Sequence, residues 1–140
     1  MKKELIFAAI MIASLGQMSF AQIFTGVPKL YTAKEKERFE MNYVVALESN
    51  NKGLVESALA VATLIKINMP EEEFPLLRAK IMELANSEIP SIHYKASLAK
   101  AAYENPNAYQ QEAQLTYDDP NEFFSALDAT PNQTSLISHK

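Results

Sequence analysis

The sequence contains no cysteine in its 140 residues, and this absence excludes several kinds of chemistry. Disulfide bonds, thiol nucleophiles and cysteine-ligated metal sites cannot form, so the burial of apolar surface has to hold the fold together. Glycine is also scarce, with 3 residues, the last of which is Gly53. A glycine-rich phosphate loop, a dinucleotide-binding fingerprint and the nucleophile elbow of α/β hydrolases are therefore absent.

Basic residues are too few and too dispersed to form a nucleic-acid interface. The chain has 13 lysines and arginines against 17 aspartates and glutamates, which gives a net charge of −4. Its arginines are Arg38 and Arg78. Because binding to a phosphate backbone requires clustered basic residues, we expect no nucleic-acid partner.

Histidine, which often marks metal or acid–base chemistry, occurs only as His93 and His139. Three and four positions after His93 stand Ala96 and Ser97, so the paired ligands of a helical metal site are missing. No pattern typical of a Ser-His-Asp site is present either. We therefore predict no metal ligand, no cofactor and no catalytic residue.

The N-terminus has the pattern of an export signal. Lys2 and Lys3 precede an apolar run over residues 5–15, and Ser19 and Ala21 are small residues at the −3 and −1 positions of a cleavage site. The pattern predicts a cleavable signal peptide over 1–21, cut between Ala21 and Gln22. The apolar run is about half as long as the roughly 20 residues that a membrane-spanning helix needs. We expect a periplasmic or extracellular protein, with a bacterial source and no stable membrane span after cleavage; an uncleaved anchor is the alternative.

Apolar residues at helical spacing predict a single helical domain over 32–129. An extended lead-in over 22–31 precedes it, and a flexible tail over 130–140 follows it. Thr32 and Glu35 form a capping box at the start of the first helix. Asp119 and Pro120 are typical of the start of a short C-terminal helix. The predicted helices cover about 33–48, 53–67, 72–85, 90–104, 107–115 and 118–129.

The main helices form a weak internal repeat. Leu54 aligns with Ile92 and Ala58 with Ala96, an offset of 38 residues, and the first and third helices align at the same offset. A period near 40 residues is typical of stacked α-hairpins.

Two segments, "KGLVESALAVATL" (52–64) and "PSIHYKASLAKAA" (90–102), resemble the second helix of HEAT repeats. Each opens with a proline or a turn residue, followed by an aliphatic residue and by a small residue four positions later. The resemblance covers about residues 33–105. It implies an all-α fold of two antiparallel helix hairpins, stacked as a short right-handed α-α superhelix or a four-helix array, with a short C-terminal helix added.

HEAT-like proteins mostly act as protein-binding scaffolds, so the resemblance implies a non-enzymatic module that binds another protein of unknown identity. In such stacks, the exposed side chains of the second helices often form the binding side. The residues of the predicted partner face are Glu56, Thr63, Lys66, His93, Ser97, Lys100 and Glu104.

Two other functions remain open at this point. A small envelope enzyme or enzyme inhibitor is favoured if His93 and two or more carboxylates meet in a cleft. Carriage of an apolar ligand is favoured if an enclosed cavity is lined by Met69, Phe74 and Met82.

Overall fold

The computed structural model describes residues 32–112, 115 and 117–130, and within these ranges it contains helices and no strand. The all-α class is therefore confirmed. The signal peptide, its cleavage site at Ala21 and Gln22, the lead-in and the tail from 131 onward lie outside the described residues. The helices are α1 (Ala33–Leu47), α2 (Lys52–Asn68), α3 (Pro75–Leu84), α4 (Pro90–Glu104) and α5 (Pro120–Asp128), with a 3-10 helix (Pro106–Tyr109) between α4 and α5.

The helix starts follow local capping signals. The capping box is present: the Thr32 hydroxyl accepts from the Glu35 backbone N–H at 3.0 Å, and the Glu35 carboxylate accepts from the Thr32 N–H at 3.1 Å. The side chains of Asn51 and Asp119 cap α2 and α5 by accepting from the backbone N–H groups of Leu54 and Glu122. These starts were predictable because each depends on residues within one turn of the helix end.

Two predicted elements have an end that differs from the structure by more than two residues. α3 begins at Pro75 rather than near Glu72, because Pro75 takes the first helical position and the residue before a proline is disfavoured in helical geometry. Where a helix is predicted over 107–115, the structure has a 3-10 helix, Pro106–Tyr109, in which the Ala108 N–H donates to the Asn105 carbonyl; residues 113 and 114 lie outside the described residues.

α2 lies at the centre of the fold. It contacts α1, α4, the 3-10 helix and α5, and every residue from 58 to 67 is buried. This arrangement explains why α2 is apolar nearly all the way round, since neighbouring elements of the same chain cover its sides.

Helices that are equivalent in the predicted repeat contact each other. Glu40 of α1 binds the start of α3 at Leu76, and α2 and α4 are joined by Lys95 with Glu56 and by Tyr103 with Ala62. These partners lie 36, 39 and 41 positions apart. From the Glu56–Lys95 contact to the Ala62–Tyr103 contact, the residue numbers rise along both helices. α2 and α4 therefore run parallel. The stacking of hairpins and its handedness stay predictions.

The segment after α4 covers the face that α2 and α4 form together. Both the 3-10 helix and α5 contact α2 and α4. Phe123, Phe124 and Leu127 of α5 have no exposed surface, and the Gln110 amide donates to the Ile67 carbonyl at 2.7 Å. The chain therefore supplies its own cover for the face that a HEAT-like stack would offer to a partner.

One tyrosine carries its hydroxyl into the core between α2 and α4. The Tyr103 hydroxyl donates to the Ala62 carbonyl at 2.8 Å, and the side chain is 4% exposed. Burial, with a smaller contribution from the nearby Glu40 carboxylate, raises the pKa of Tyr103 well above its usual value. The hydroxyl is therefore held in its neutral form as a hydrogen-bond donor.

Candidate interaction surface

Two residues of the predicted partner face are buried, so the expectation that they are exposed is wrong. The Thr63 hydroxyl donates to the Leu59 carbonyl at 2.6 Å inside the core, and Thr63 has no exposed surface. Lys66 is 4% exposed, and its ammonium group donates to the carbonyls of Pro70 at 3.0 Å and Glu72 at 2.7 Å. Lys66 thus ties the connection between α2 and α3 to the end of α2, which leaves its charge turned inward.

A third predicted residue, Glu56, is half-buried and forms an ion pair with Lys95 of α4. The two side chains are only 15% and 6% exposed, so this pair joins helices rather than facing solvent. Lys95 is not among the residues of the predicted partner face. The repeat contained the signal for it, because Lys95 stands 39 positions after Glu56, close to the repeat offset.

The remaining predicted residues lie on the outer side of α4. His93 is exposed, and its backbone carbonyl accepts from the Ser97 hydroxyl at 2.7 Å. Ser97, Lys100 and Glu104 line an open groove of about 510 Å³ between α3 and α4. The full lining of this α3–α4 groove is Met82, Ala85, Asn86, Ser97, Lys100, Ala101 and Glu104.

The polar side chains of the α3–α4 groove can exchange partners at low cost. The Lys100 ammonium lies 3.9 Å from the Glu104 carboxylate, and the two side chains are 46% and 50% exposed. An ion pair this exposed stabilises a fold by about 0–1 kcal/mol. Met82 adds a flexible apolar side chain that adapts its shape to a neighbour. The groove therefore offers both charges and apolar surface to a binding partner.

A second groove lies between α1 and α3, where the sequence predicts no site. This α1–α3 groove, of about 370 Å³, is lined by Met41, Val44, Val45, Glu48, Leu76, Ala79, Lys80 and Glu83. Met41 and Leu76 are 54% and 50% exposed, which is high for large apolar side chains. Lys80 lies at one end, 3.8 Å from Glu48 and 3.0 Å from Glu83. The sequence of α1 contains a signal for this groove, because its apolar residues occupy more positions than a single core-facing side of the helix requires.

The described residues hold no group of three or more histidines, aspartates or glutamates placed to bind a metal ion. Within the same residues His93 forms no ion pair with a carboxylate, and the Ser97 hydroxyl donates to a carbonyl of its own helix. The Tyr94 hydroxyl donates to the Asp128 carboxylate at 2.9 Å, a contact that joins α4 to α5. Partial burial and this carboxylate raise the pKa of Tyr94.

Phe74 and Met82, two of the residues named for an apolar cavity, lie in different surroundings. Phe74 is buried and packs edge-on against Phe39, with ring centres 6.0 Å apart, whereas Met82 lines the open α3–α4 groove. In the part of the chain that the structure describes, none of the helices has both the length and the apolar character to cross a membrane.

Comparison of the chain with protein-family models, with curated proteins and with solved structures found no match. These comparisons neither support nor contradict the HEAT-like resemblance, which stays a prediction.

Proposed function

We propose that the chain is an exported, non-enzymatic, HEAT-like module that binds another protein, and that the α3–α4 groove receives this partner. The 3-10 helix and α5 occupy the face that α2 and α4 form, so the chain itself takes the binding side expected of a helical stack. The observation that carries the proposal is the open groove that remains beside this covered face. Three residues of the predicted partner face, Ser97, Lys100 and Glu104, still line an open groove beside it.

The composition of the groove supports this use. Surfaces that bind protein partners reversibly combine apolar and polar area in similar shares, with adaptable side chains at the contact. The α3–α4 groove has apolar Met82, Ala85 and Ala101 next to Lys100 and Glu104. A partner segment that presents one apolar side chain between an acid and a base would fit it.

Site-specific photo-crosslinking tests the proposal. A photoreactive amino acid at Lys100 is compared with the same group at Asn50, an exposed residue that does not line the groove. Both chains are incubated with extract of the native host, and the crosslinked species are identified by mass spectrometry. We expect a discrete protein that is captured at Lys100 and not at Asn50.

A groove-filling substitution controls for position. Ala101→Arg in the crosslinking chain should abolish capture at Lys100, while Asn50→Arg should leave it unchanged, with helix content by circular dichroism equal in both. Absence of any species at Lys100, or capture of the same species at both positions, would overturn the proposal.

A further inference from the structure

The α1–α3 groove is bordered by charge that is not balanced within the chain. At the end near Glu48, one base, Lys80, lies between two acids, Glu48 and Glu83, so one negative charge is in excess. Toward the other end, Arg38 stands one turn before Met41 on α1, just outside the residues that line the groove. Residues 38, 41 and 45 follow the i, i+3, i+7 spacing of one helix face. Among the described residues the exposed Arg38 has no ion pair.

The groove side of α1 is self-complementary when the helix is reversed. Arg38, Met41, Val45 and Glu48 are separated by three, four and three positions, a spacing that reads the same from either end. A two-fold axis through the middle of this stretch brings Arg38 of one copy to Glu48 of the other, and Met41 to Val45. At each end of the contact, the unbalanced acid of one copy then faces the unpaired Arg38 of the other copy.

We propose that the α1–α3 groove is the contact surface of a two-fold symmetric dimer of this chain. The contact pairs Arg38 with Glu48 between copies and covers Met41 and Leu76, the two large apolar side chains that the groove leaves exposed. This inference does not depend on the proposed partner site, because the α1–α3 and α3–α4 grooves share no lining residue.

The geometry also sets the strength of the association. α3 has 10 residues, so the groove is about 15 Å long. A contact of this length is small compared with the interfaces of permanent dimers. We expect a weak dimer that dissociates further at high salt, because the Arg38–Glu48 pairs lie at the solvent-exposed ends of the contact.

A charge-swap experiment tests the dimer by sedimentation equilibrium on the full chain after removal of the predicted signal peptide, from micromolar to millimolar concentration. Arg38→Glu and Glu48→Arg should each weaken dimerisation about tenfold or more, since each places two pairs of like charges in contact. The double variant should recover the dimer. A mixture of the two single variants should form a heterodimer, in which each Arg–Glu pair is restored across the interface.

Two controls separate this contact from effects on folding and on net charge. Arg78→Glu reverses the other arginine, which lies on α3 outside the α1 stretch that pairs between copies, and should leave the dimer constant unchanged. Met41→Asp changes an exposed side chain, so the fold should persist by circular dichroism while dimerisation is lost. A chain that stays monomeric at millimolar concentration would overturn the inference. So would a dimer that is insensitive to Arg38→Glu, or that Arg78→Glu weakens equally.

Discussion

The carboxylate of Glu40 lies 2.6 Å from the backbone nitrogen of Leu76, although the two residues are 36 positions apart in the chain. The same oxygen accepts from the Leu77 N–H at 3.1 Å. Phe74, the residue that precedes α3, makes no capping hydrogen bond with its side chain. α1 therefore supplies, from a different helix, the cap and the negative charge that the start of α3 lacks.

Removing this cap should destabilise the fold. Glu40→Ala leaves one buried and one partly buried N–H group without an acceptor, and we expect the free energy of unfolding in urea to fall by about 2–3 kcal/mol. Glu40→Gln keeps an acceptor oxygen and should cost about 1 kcal/mol. Glu37→Ala, at an exposed position of the same helix, is the matched control and should change stability by less than about 0.5 kcal/mol. Equal losses for Glu40→Ala and Glu37→Ala would contradict this role.

The buried Tyr103 hydroxyl should make the fold sensitive to alkaline pH. Its folded pKa is raised, so the stability it contributes is complete below its unfolded pKa of about 10 and is lost as pH rises toward the folded value. Tyr103→Phe should cost about 1 kcal/mol at neutral pH through the lost hydrogen bond. Above about pH 10, the unfolding free energy of Tyr103→Phe should decline less steeply than that of the wild type. The two slopes should differ by up to about 1.4 kcal/mol per pH unit.

Urea unfolding at a series of pH values measures this difference in slope. Burial also raises the pKa of Tyr43, to about 12, so the wild-type slope contains more than one tyrosine, and only the difference between the two proteins reports Tyr103. Parallel stability–pH curves for the wild type and Tyr103→Phe would show that the hydroxyl is not held neutral by the core.

The ion pair between Glu56 and Lys95 should behave differently from the exposed pair between Lys100 and Glu104. Lys95→Met leaves the largely buried Glu56 carboxylate unpaired and should cost about 3–5 kcal/mol. The double variant Glu56→Leu with Lys95→Met should recover most of that loss. Lys100→Met should change stability by about 0–1 kcal/mol. Thermal unfolding of all variants checks the ranking, and a cost for Lys95→Met as small as that for Lys100→Met would contradict it.

The packing of α5 should be necessary for a closed core. Phe124 has no exposed surface, and Phe124→Ala should reduce stability by about 3–5 kcal/mol. Because α5 covers α2 and α4, the variant should also bind a hydrophobic dye such as ANS more strongly. Ser125→Ala, at the exposed neighbouring position, should do neither. Wild-type stability and dye binding for Phe124→Ala would mean that α5 does not cover these helices in solution.

Export predicts a definite N-terminus. In a bacterial host the chain should be processed to begin at Gln22, and Ala21→Arg should block this cleavage because a small residue is required at the −1 position. Intact-mass measurement and N-terminal sequencing distinguish the two forms. Gln22→Ala, on the other side of the bond, should still be cleaved. A wild-type chain that keeps Met1 in all cell fractions would argue for the uncleaved alternative.

The partner face shows where prediction from this sequence failed. The resemblance to HEAT repeats predicts Thr63 and Lys66 at the surface, because the second helices of such stacks often present their exposed side chains to a partner. Their burial follows from contacts that a one-dimensional pattern does not contain: a hydroxyl bonded back to Leu59, and an ammonium group bonded to the connection after α2. Ser97, Lys100 and Glu104, which were predicted by the same reasoning, do border open space because nothing described packs over that part of α4.

The amino-acid sequence alone determined the helices and most of their ends. Periodicity and capping act within one or two turns, so Thr32, Asn51 and Asp119 specify helix starts without reference to the rest of the chain. Only the tertiary structure decided which side of each helix is covered. That outcome depends on where the 3-10 helix and α5 pack and on contacts such as Glu40 with Leu76, which join positions far apart in the chain. Such contacts form because they bury apolar surface and satisfy polar groups together, and local patterns record neither condition.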